Sequence, residues 1–323
     1  MSGLRKKLSK ALLFLLILLL IALVATAWRL ASRKAAALRD FPPEGQFITV
    51  DGHPVHYLQM GEGPDLVLLH GASGNIRDFT FALAPELARH YRVTLFDRPG
   101  LGHTPRLAAR GVSIRDQAAL LSGAAVKLGL EAPVVVGQSF GGAVAAAWAV
   151  HFPDRLSALV SLAGATHPWE GPDSPLNRAL AHPLVGPVIS NLAAAWVPDS
   201  YVRAQIAQTF RPQGDPDGYA DHIGAELVLR PRSLRANAQQ RIDLREELRV
   251  QSALYPTLKL PVEILHGTAD TTVGLEIHSL PLSREVAEAH LTRLPGIGHM
   301  PQHVARTQVI AAIDRAAARA GLR

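Results

Sequence analysis

The sequence predicts an α/β protein: a mostly parallel eight-stranded sheet with helices on both faces, a helical lid inserted in it, and one membrane-spanning helix in front. Three observations predict it. From residue 46 on, short continuous apolar runs alternate with helical patterns, the rhythm of strands buried on both faces. That alternation breaks at Thr166–Thr257, a stretch of about 90 residues that reads mainly helical. Ahead of both, Ala11–Trp28 is 18 residues without a charge.

The apolar run comes first in the chain. As a helix rising 1.5 Å per residue it reaches ~27 Å, close to the ~30 Å hydrocarbon core of a bilayer. A cleaved signal peptide is the rival reading, with a basic start and an Ala25-Thr26-Ala27 site near which cleavage would release a secreted protein. The run is longer than the ~7–15 apolar residues of such a peptide. Basic clusters at both ends disfavour a buried core helix. Four basic residues precede the run and three follow closely, a slight bias toward a cytoplasmic N-terminus and an extracytoplasmic body. Residues 1–28 are therefore expected to be a cytoplasmic basic stub plus a single-pass anchor, and residues 29–45 a short basic linker ending in Phe41-Pro42-Pro43-Glu44-Gly45.

The expected core occupies residues 46–165 and 258–323, with the lid at 166–257. Gln46–Val50 and Val55–Met60 flank an Asp51-Gly52 turn and read as an antiparallel hairpin. Asp65–His70, Tyr91–Asp97, Pro133–Gly137, Ala158–Ala163 and Pro261–His266 read as buried strands, and His290–Leu294 as a weaker last one. Helical patterns lie at Phe79–His90, Ile114–Leu128, Gly141–His151 and Gln302–Ala320. The lid carries breaks at Pro168, Pro183, Pro198, Pro212, Pro216 and Pro231. An insertion after a sheet strand sits over the carboxyl ends of the strands, where open α/β sheets bind ligands.

Composition excludes several functions. The chain has no cysteine, which removes disulfides, thiolate nucleophiles and Cys-ligated metals. Its net charge of +6 resides in residues 1–39, where Arg5, Lys6, Lys7, Lys10, Arg29, Arg33, Lys34 and Arg39 meet no acid. The remaining 25 basic residues face 27 acidic ones, so the body offers no basic surface for nucleic acid. His53 and His56 lack a third ligand at useful spacing, so no metal is expected. Gly61-Glu62-Gly63 is a turn rather than a dinucleotide loop, and no cofactor is implied.

The chemistry is carried by four loops. Gly137-Gln138-Ser139-Phe140-Gly141-Gly142 joins a strand to a helix, a tight turn that needs small flanking residues and leaves the Ser139 hydroxyl exposed at a helix N-terminus. A serine needs a base, and the base needs a partner that fixes its tautomer. Leu265-His266-Gly267-Thr268-Ala269-Asp270 places Asp270 beyond the seventh strand, and Leu294-Pro295-Gly296-Ile297-Gly298-His299-Met300-Pro301 places His299 after the eighth. The order Ser139, Asp270, His299 suits this topology. Leu69-His70-Gly71-Ala72-Ser73-Gly74 follows the third strand, and the Ala72 and Phe140 amides are candidate donors to a tetrahedral oxyanion.

HGASG, FDRPGLG, GQSFGG, HGTAD and GIGHMP, in this order over about residues 46–320, resemble the α/β-hydrolase superfamily. The likeness is to its lid-bearing branch of small esterases and lipases, perhydrolases, carbon–carbon bond hydrolases, epoxide hydrolases and haloalkane dehalogenases. The resemblance implies Ser139 as nucleophile, Asp270 as orienting acid, His299 as base, and the amides of Ala72 and Phe140 as the oxyanion hole. Epoxide hydrolases and dehalogenases of that family attack with an aspartate at the elbow, so Ser139 argues against both. Gln138 points to no single branch, and the lid, which sets substrate class in the family, matches none.

The expected activity is cleavage of a small or lipid-like carboxylic ester by a membrane-anchored serine hydrolase. A carbon–carbon bond hydrolase or perhydrolase on the same residues, or a non-catalytic binding member of the fold, are the alternatives. Trp169, Trp196, Phe210 and Tyr219 are the aromatic candidates for substrate contact in the lid, with packing inside the lid as the competing role. His70, His266 and the pair Asp97-Arg98 are expected to brace loops.

Overall fold

Beyond Gly3 no glycine or proline interrupts the chain until Pro42, and one helix, α1 (Ser2–Asp40), fills the interval. The computed structural model describes residues 2–109 and 111–323, with side chains from residue 7 on; Arg5 and Lys6 of the basic cluster have their side chains outside the described residues. The expected linker is thus helical as far as Asp40, and the reason is tertiary. From Leu8 to Val24 the helix is exposed all round, whereas Thr26, Leu30, Arg33 and Ala37, spaced like one helical stripe, turn toward the body.

Eight strands follow: β1 (Gln46–Val50), β2 (His53–Met60), β3 (Asp65–Leu69), β4 (Arg92–Phe96), β5 (Val134–Gln138), β6 (Ala158–Leu162), β7 (Val262–Gly267) and β8 (Ala289–Leu294). They form one sheet in the order β1-β2-β4-β3-β5-β6-β7-β8. The β1–β2 hairpin and the β2–β4 pair are antiparallel, and the other neighbours are parallel. Every residue of β3, β5 and β6 is buried, which is why each reads as a mainly apolar run.

Helices cover both faces. Between β3 and β4 lie α2 (Arg77–Thr80) and α3 (Leu83–Leu87), two short pieces where one helix was expected at Phe79–His90, because Ala82 leaves helical geometry at φ −152°. On one face, α4 (Ile114–Lys127) and α5 (Phe140–His151) pack on Val67, Leu69 and Val135. Nearly every residue of α5 is buried, so its small side chains let it lie close to the sheet. Six helices then separate β6 from β7: α6 (Pro175–Ala181), α7 (Val185–Trp196), α8 (Asp199–Thr209), α9 (Tyr219–His222), α10 (Ala225–Val228) and α11 (Pro231–Ser252). Prolines open α6 and α11, where the first turn has no use for an N–H. The chain closes with α12 (Ser279–Glu285), α13 (Pro301–Val304) and α14 (Arg306–Arg319). The single C-terminal helix expected at Gln302–Ala320 is broken at Ala305, φ −136° and ψ 39°. With α3, α14 covers Leu66, Leu68, Val134 and Val136 on the opposite face.

The docked end of α1 rests on α7 and α10, not on the sheet. Arg29 Nε donates to Ala195 O and Arg33 to Val197 O, each at 2.6 Å, which supplies cationic donors to the carbonyls ending α7. Arg33 also pairs with Asp199. Trp196 lies under the Arg29 guanidinium, 5.1 Å from ring centroid to Cζ, and its indole N–H donates to Thr26 Oγ1 at 3.1 Å.

Candidate active site

Ser139 sits in the turn between β5 and α5 at φ 53° and ψ −118°, a conformation that a non-glycine residue adopts only when its surroundings impose it. The glycines of the elbow explain how. A Cβ on Gly137 would stand 2.2 Å from Gly141 O, and one on Gly141 would stand 2.1 Å from Leu69 O. The turn is therefore pressed against β3, and the Ser139 side chain is left facing outward at the start of α5.

Three expected residues converge. His299 Nε2 is 2.9 Å from Ser139 Oγ, and His299 Nδ1 is 2.7 Å from Asp270 Oδ2. The Asp270 carboxylate accepts a hydrogen bond from His299 Nδ1–H, which leaves Nε2 facing the serine hydroxyl as the acceptor. Asp270 also accepts from the amides of Thr272 (2.8 Å) and Val273 (3.0 Å), and His266 Nε2 lies 3.3 Å from Oδ2. Burial pushes the Asp270 pKa up, but the hydrogen bonds from His266, His299 and Val273 and the charge of His299 outweigh it and hold the carboxyl below its usual range.

Phe140 follows the serine directly, and Ala72 lines the same cavity as the serine. Phe140 is the first residue of α5, where helix geometry leaves the N–H without an internal partner. Ala72 N donates to no acceptor among the described residues. The loop carrying Ala72 is held from several sides. Arg98, fully buried, donates from Nε to His70 O (2.8 Å) and from a terminal nitrogen to Gly71 O (2.9 Å), and its guanidinium stacks 4.4 Å from the Phe140 ring centroid. Asp97 accepts from the amides of Ile76 (2.8 Å) and His103 (2.7 Å) and from His56 Nδ1 (2.7 Å). These contacts give Asp97, Arg98 and His70 the bracing role that their loop positions suggest.

Residues whose roles no motif supplies complete the site. Gln138 donates to His299 O at 3.1 Å and so ties the elbow to the histidine loop. Asn237 of α11 accepts the Ser73 N–H at 2.8 Å, which links the insertion to the Ala72 loop. Asp78 is buried and accepts from Tyr219 Oη (2.7 Å) and His303 Nε2 (2.8 Å). Gln138 lies in the elbow motif, which does not give its partner, while Asn237 and Asp78 have no spacing or neighbouring pattern by which sequence could single them out; their roles arise from contacts across 141–225 positions for Asp78 and 164 for Asn237.

Over the serine, the core and the helical insertion enclose a cavity of about 1180 Å³ with mostly apolar walls. Ser139, His299, Ala72 and Phe140 line it, as do Trp169, Trp196 and Tyr219. Phe210 does not. It is buried behind the wall, 5.0 Å from the Tyr219 ring and 5.5 Å from the His303 ring, centroid to centroid, and its role is packing. Tyr219 presents its ring to the cavity while its hydroxyl is engaged by Asp78.

Comparison with known proteins agrees with this architecture. A family model for the alpha/beta hydrolase fold matches residues 64–184. The dihydrolipoyllysine-residue acetyltransferase component of the acetoin cleaving system of Cupriavidus necator is 42% identical over 123 residues, 37% of this chain and 32% of that protein, so the chain spans about a third of it. The 2-hydroxy-6-oxo-2,4-heptadienoate hydrolase of Pseudomonas putida is 28% identical over 80% of this chain and 90% of its own length. A pimeloyl-[acyl-carrier protein] methyl ester esterase of Vibrio vulnificus is 27% identical over 75% and 92%. Among solved structures, a membrane phospholipase A shares the fold with a TM-score of 0.63 over 95% of this chain and 99% of that one, at 19% identity. With its central parallel sheet, strand–turn–helix elbow and matched relatives, the chain has the α/β-hydrolase fold.

Proposed function

We propose that this protein is a membrane-anchored serine hydrolase that cleaves carboxylic esters through an acyl-enzyme. The observation that carries the reading is the unbroken relay Ser139 Oγ–His299 Nε2–His299 Nδ1–Asp270 Oδ2, at 2.9 and 2.7 Å. As Ser139 Oγ bonds to the acyl carbon, His299 Nε2 takes its proton. The carbonyl electrons move onto oxygen, where the Ala72 and Phe140 amides stabilise the charge. Collapse expels the alcohol, which leaves with the proton from His299. A water deprotonated by His299 then attacks the acyl-enzyme, and collapse returns the proton to Ser139 and frees the acid. Asp270 stays ionised throughout and stabilises the imidazolium.

An ester substrate is favoured by the Vibrio vulnificus relative, whose name is that of a methyl ester esterase. The Pseudomonas putida relative favours a second reading, carbon–carbon bond hydrolysis of a dienoate on the same residues. Membrane anchoring rests on the apolar half of α1, whose mean hydropathy reaches 2.9 over an 18-residue window with none of that window buried. Four basic residues precede the apolar run and three follow it closely, a slight bias that favours an extracytoplasmic body.

The test uses the full chain in detergent beside Ser139→Ala, with a fluorophosphonate probe and a series of nitrophenyl esters. Labelling and turnover that vanish in the variant support the reading. A folded protein that neither labels nor turns over points instead to a binding role. Preference for a 2-hydroxy-6-oxo-dienoate over every ester favours the second reading. Asp270→Asn is expected to lower kcat by about 10⁴-fold with little change in KM, because the imidazole loses its tautomer.

A further inference from the structure

The cavity holds one guanidinium that the proposed chemistry does not use. Arg241 of α11 lines it, and among the described lining residues it is the only arginine or lysine. It has no hydrogen bond and no ion pair among the described residues, unlike the neighbouring Arg245, which binds Gly171 O and pairs with Asp173. Glu170 lines the same cavity without pairing with it. Arg241 is exposed where it lines the cavity, and an unpaired guanidinium facing mostly apolar walls is free to take up an anion.

Its position gives that anion a place. Asn237 and Arg241 are four residues apart on α11 and share one helix face, with β-carbons ~6 Å apart. Asn237 is hydrogen-bonded to Ser73, next to Ala72. The free guanidinium is thus one helical turn from the loop whose amide would meet the oxyanion. Leu176, Leu180, Leu192 and Leu244 supply apolar wall in the same cavity.

We infer that Arg241 is an anion-binding subsite, and that the substrate is an ester bearing an apolar chain together with a carboxylate or phosphate near the scissile bond. The fork of the guanidinium suits bidentate pairing with either group. The inference rests on the serine-hydrolase reading for the word substrate, but the subsite itself does not.

Two measurements keep the two ideas apart. The first is binding of octyl phosphate and of octanol to the full chain carrying Ser139→Ala, which needs no turnover. The phosphate is expected to bind at least tenfold more tightly than the alcohol, and Arg241→Gln to remove most of that difference while Arg241→Lys keeps part of it. The second is kcat/KM for matched charged and neutral esters. One arm carries the anion on the acyl side (mono-4-nitrophenyl adipate against 4-nitrophenyl hexanoate). The other carries it on the alcohol side (1-octanoylglycerol 3-phosphate against 1-octanoylglycerol). A charged preference of tenfold or more on one arm, lost in Arg241→Gln mainly through KM, supports the subsite and tells which side of the ester bears the anion. Equal binding of phosphate and alcohol, or an Arg241→Gln variant that keeps the wild-type ratio of charged to neutral probe, overturns it. A chain that binds octyl phosphate through Arg241 but never labels at Ser139 keeps the subsite and sinks the hydrolase reading.

Discussion

Asp270 serves two histidines with one oxygen. His266 Nε2 is 2.7 Å from Val273 O, an acceptor only, so that nitrogen carries a proton and faces the same carboxylate oxygen as His299. His266 Nδ1 then accepts from Ser279 Oγ at 2.6 Å, which locks the ring. The carboxylate is thereby fixed on both sides before it orients His299. A comparable single contact governs the opposite wall. Removing the acceptor of the Ser73 N–H by Asn237→Ala is expected to cost about 1 kcal/mol of loop positioning, read as a roughly fivefold fall in kcat with a smaller change in KM in ester assays. The elbow tolerates less. Gly141→Ala would drive a methyl group into Leu69 O, and a loss of about 3 kcal/mol or more is expected in denaturant unfolding. Ser139, Asp270 and His299 were legible because each lies in a short motif whose spacing is set by a strand end. Asn237, Gln138 and Arg241 were not, because a side chain on a long polar helix or beside a nucleophile acquires its role from what folds opposite it.

At the scale of elements, the strands were readable because burial on both faces fills β3, β5 and β6 mainly with apolar residues, each keeping a single polar one. The helices were readable in position but not in continuity. Breaks at Ala82 and Ala305 fall on residues that favour helix, so their cause is the packing around them rather than local preference. The same holds for residues 29–40, whose helix is completed by docking on α7. That junction makes a prediction. Arg29→Ala with Arg33→Ala removes two donors from the carbonyls ending α7, and hydrogen exchange at residues 185–197 is expected to accelerate several-fold while the core strands keep their protection. Leu184, which caps α7, and Val188 on that helix are 79% and 59% exposed, and under the proposed anchoring two such apolar side chains suit the boundary between lipid headgroups and acyl chains.

For the whole molecule, stability should depend on pH through buried histidines. Burial lowers the pKa of His70, His103 and His278 from 6.5 to about 4, opposed in each case by nearby Asp97 or Asp270. The folded protein therefore binds fewer protons than the unfolded chain between those values, and stability falls as pH drops from 6.5 to 4. Glu247 acts in the other direction. Burial raises it to about 7, so the folded state holds its proton longer than the unfolded chain, and stability falls as pH rises from 4.5 through 7. Glu247→Gln is expected to raise Tm relative to wild type at pH 8 and to lose that advantage at pH 5. An unchanged difference between the two pH values would contradict this assignment. The junction of α1 with the insertion also sets the mechanical frame. Because α1 docks on α7 and α10 rather than on the sheet, the proposed anchoring would make the insertion the stationary part relative to a bilayer. Any opening of the cavity would then be a swing of the sheet and its serine away from a fixed ceiling, so a fluorophore on α14 would report it against the membrane plane and one on α7 would not.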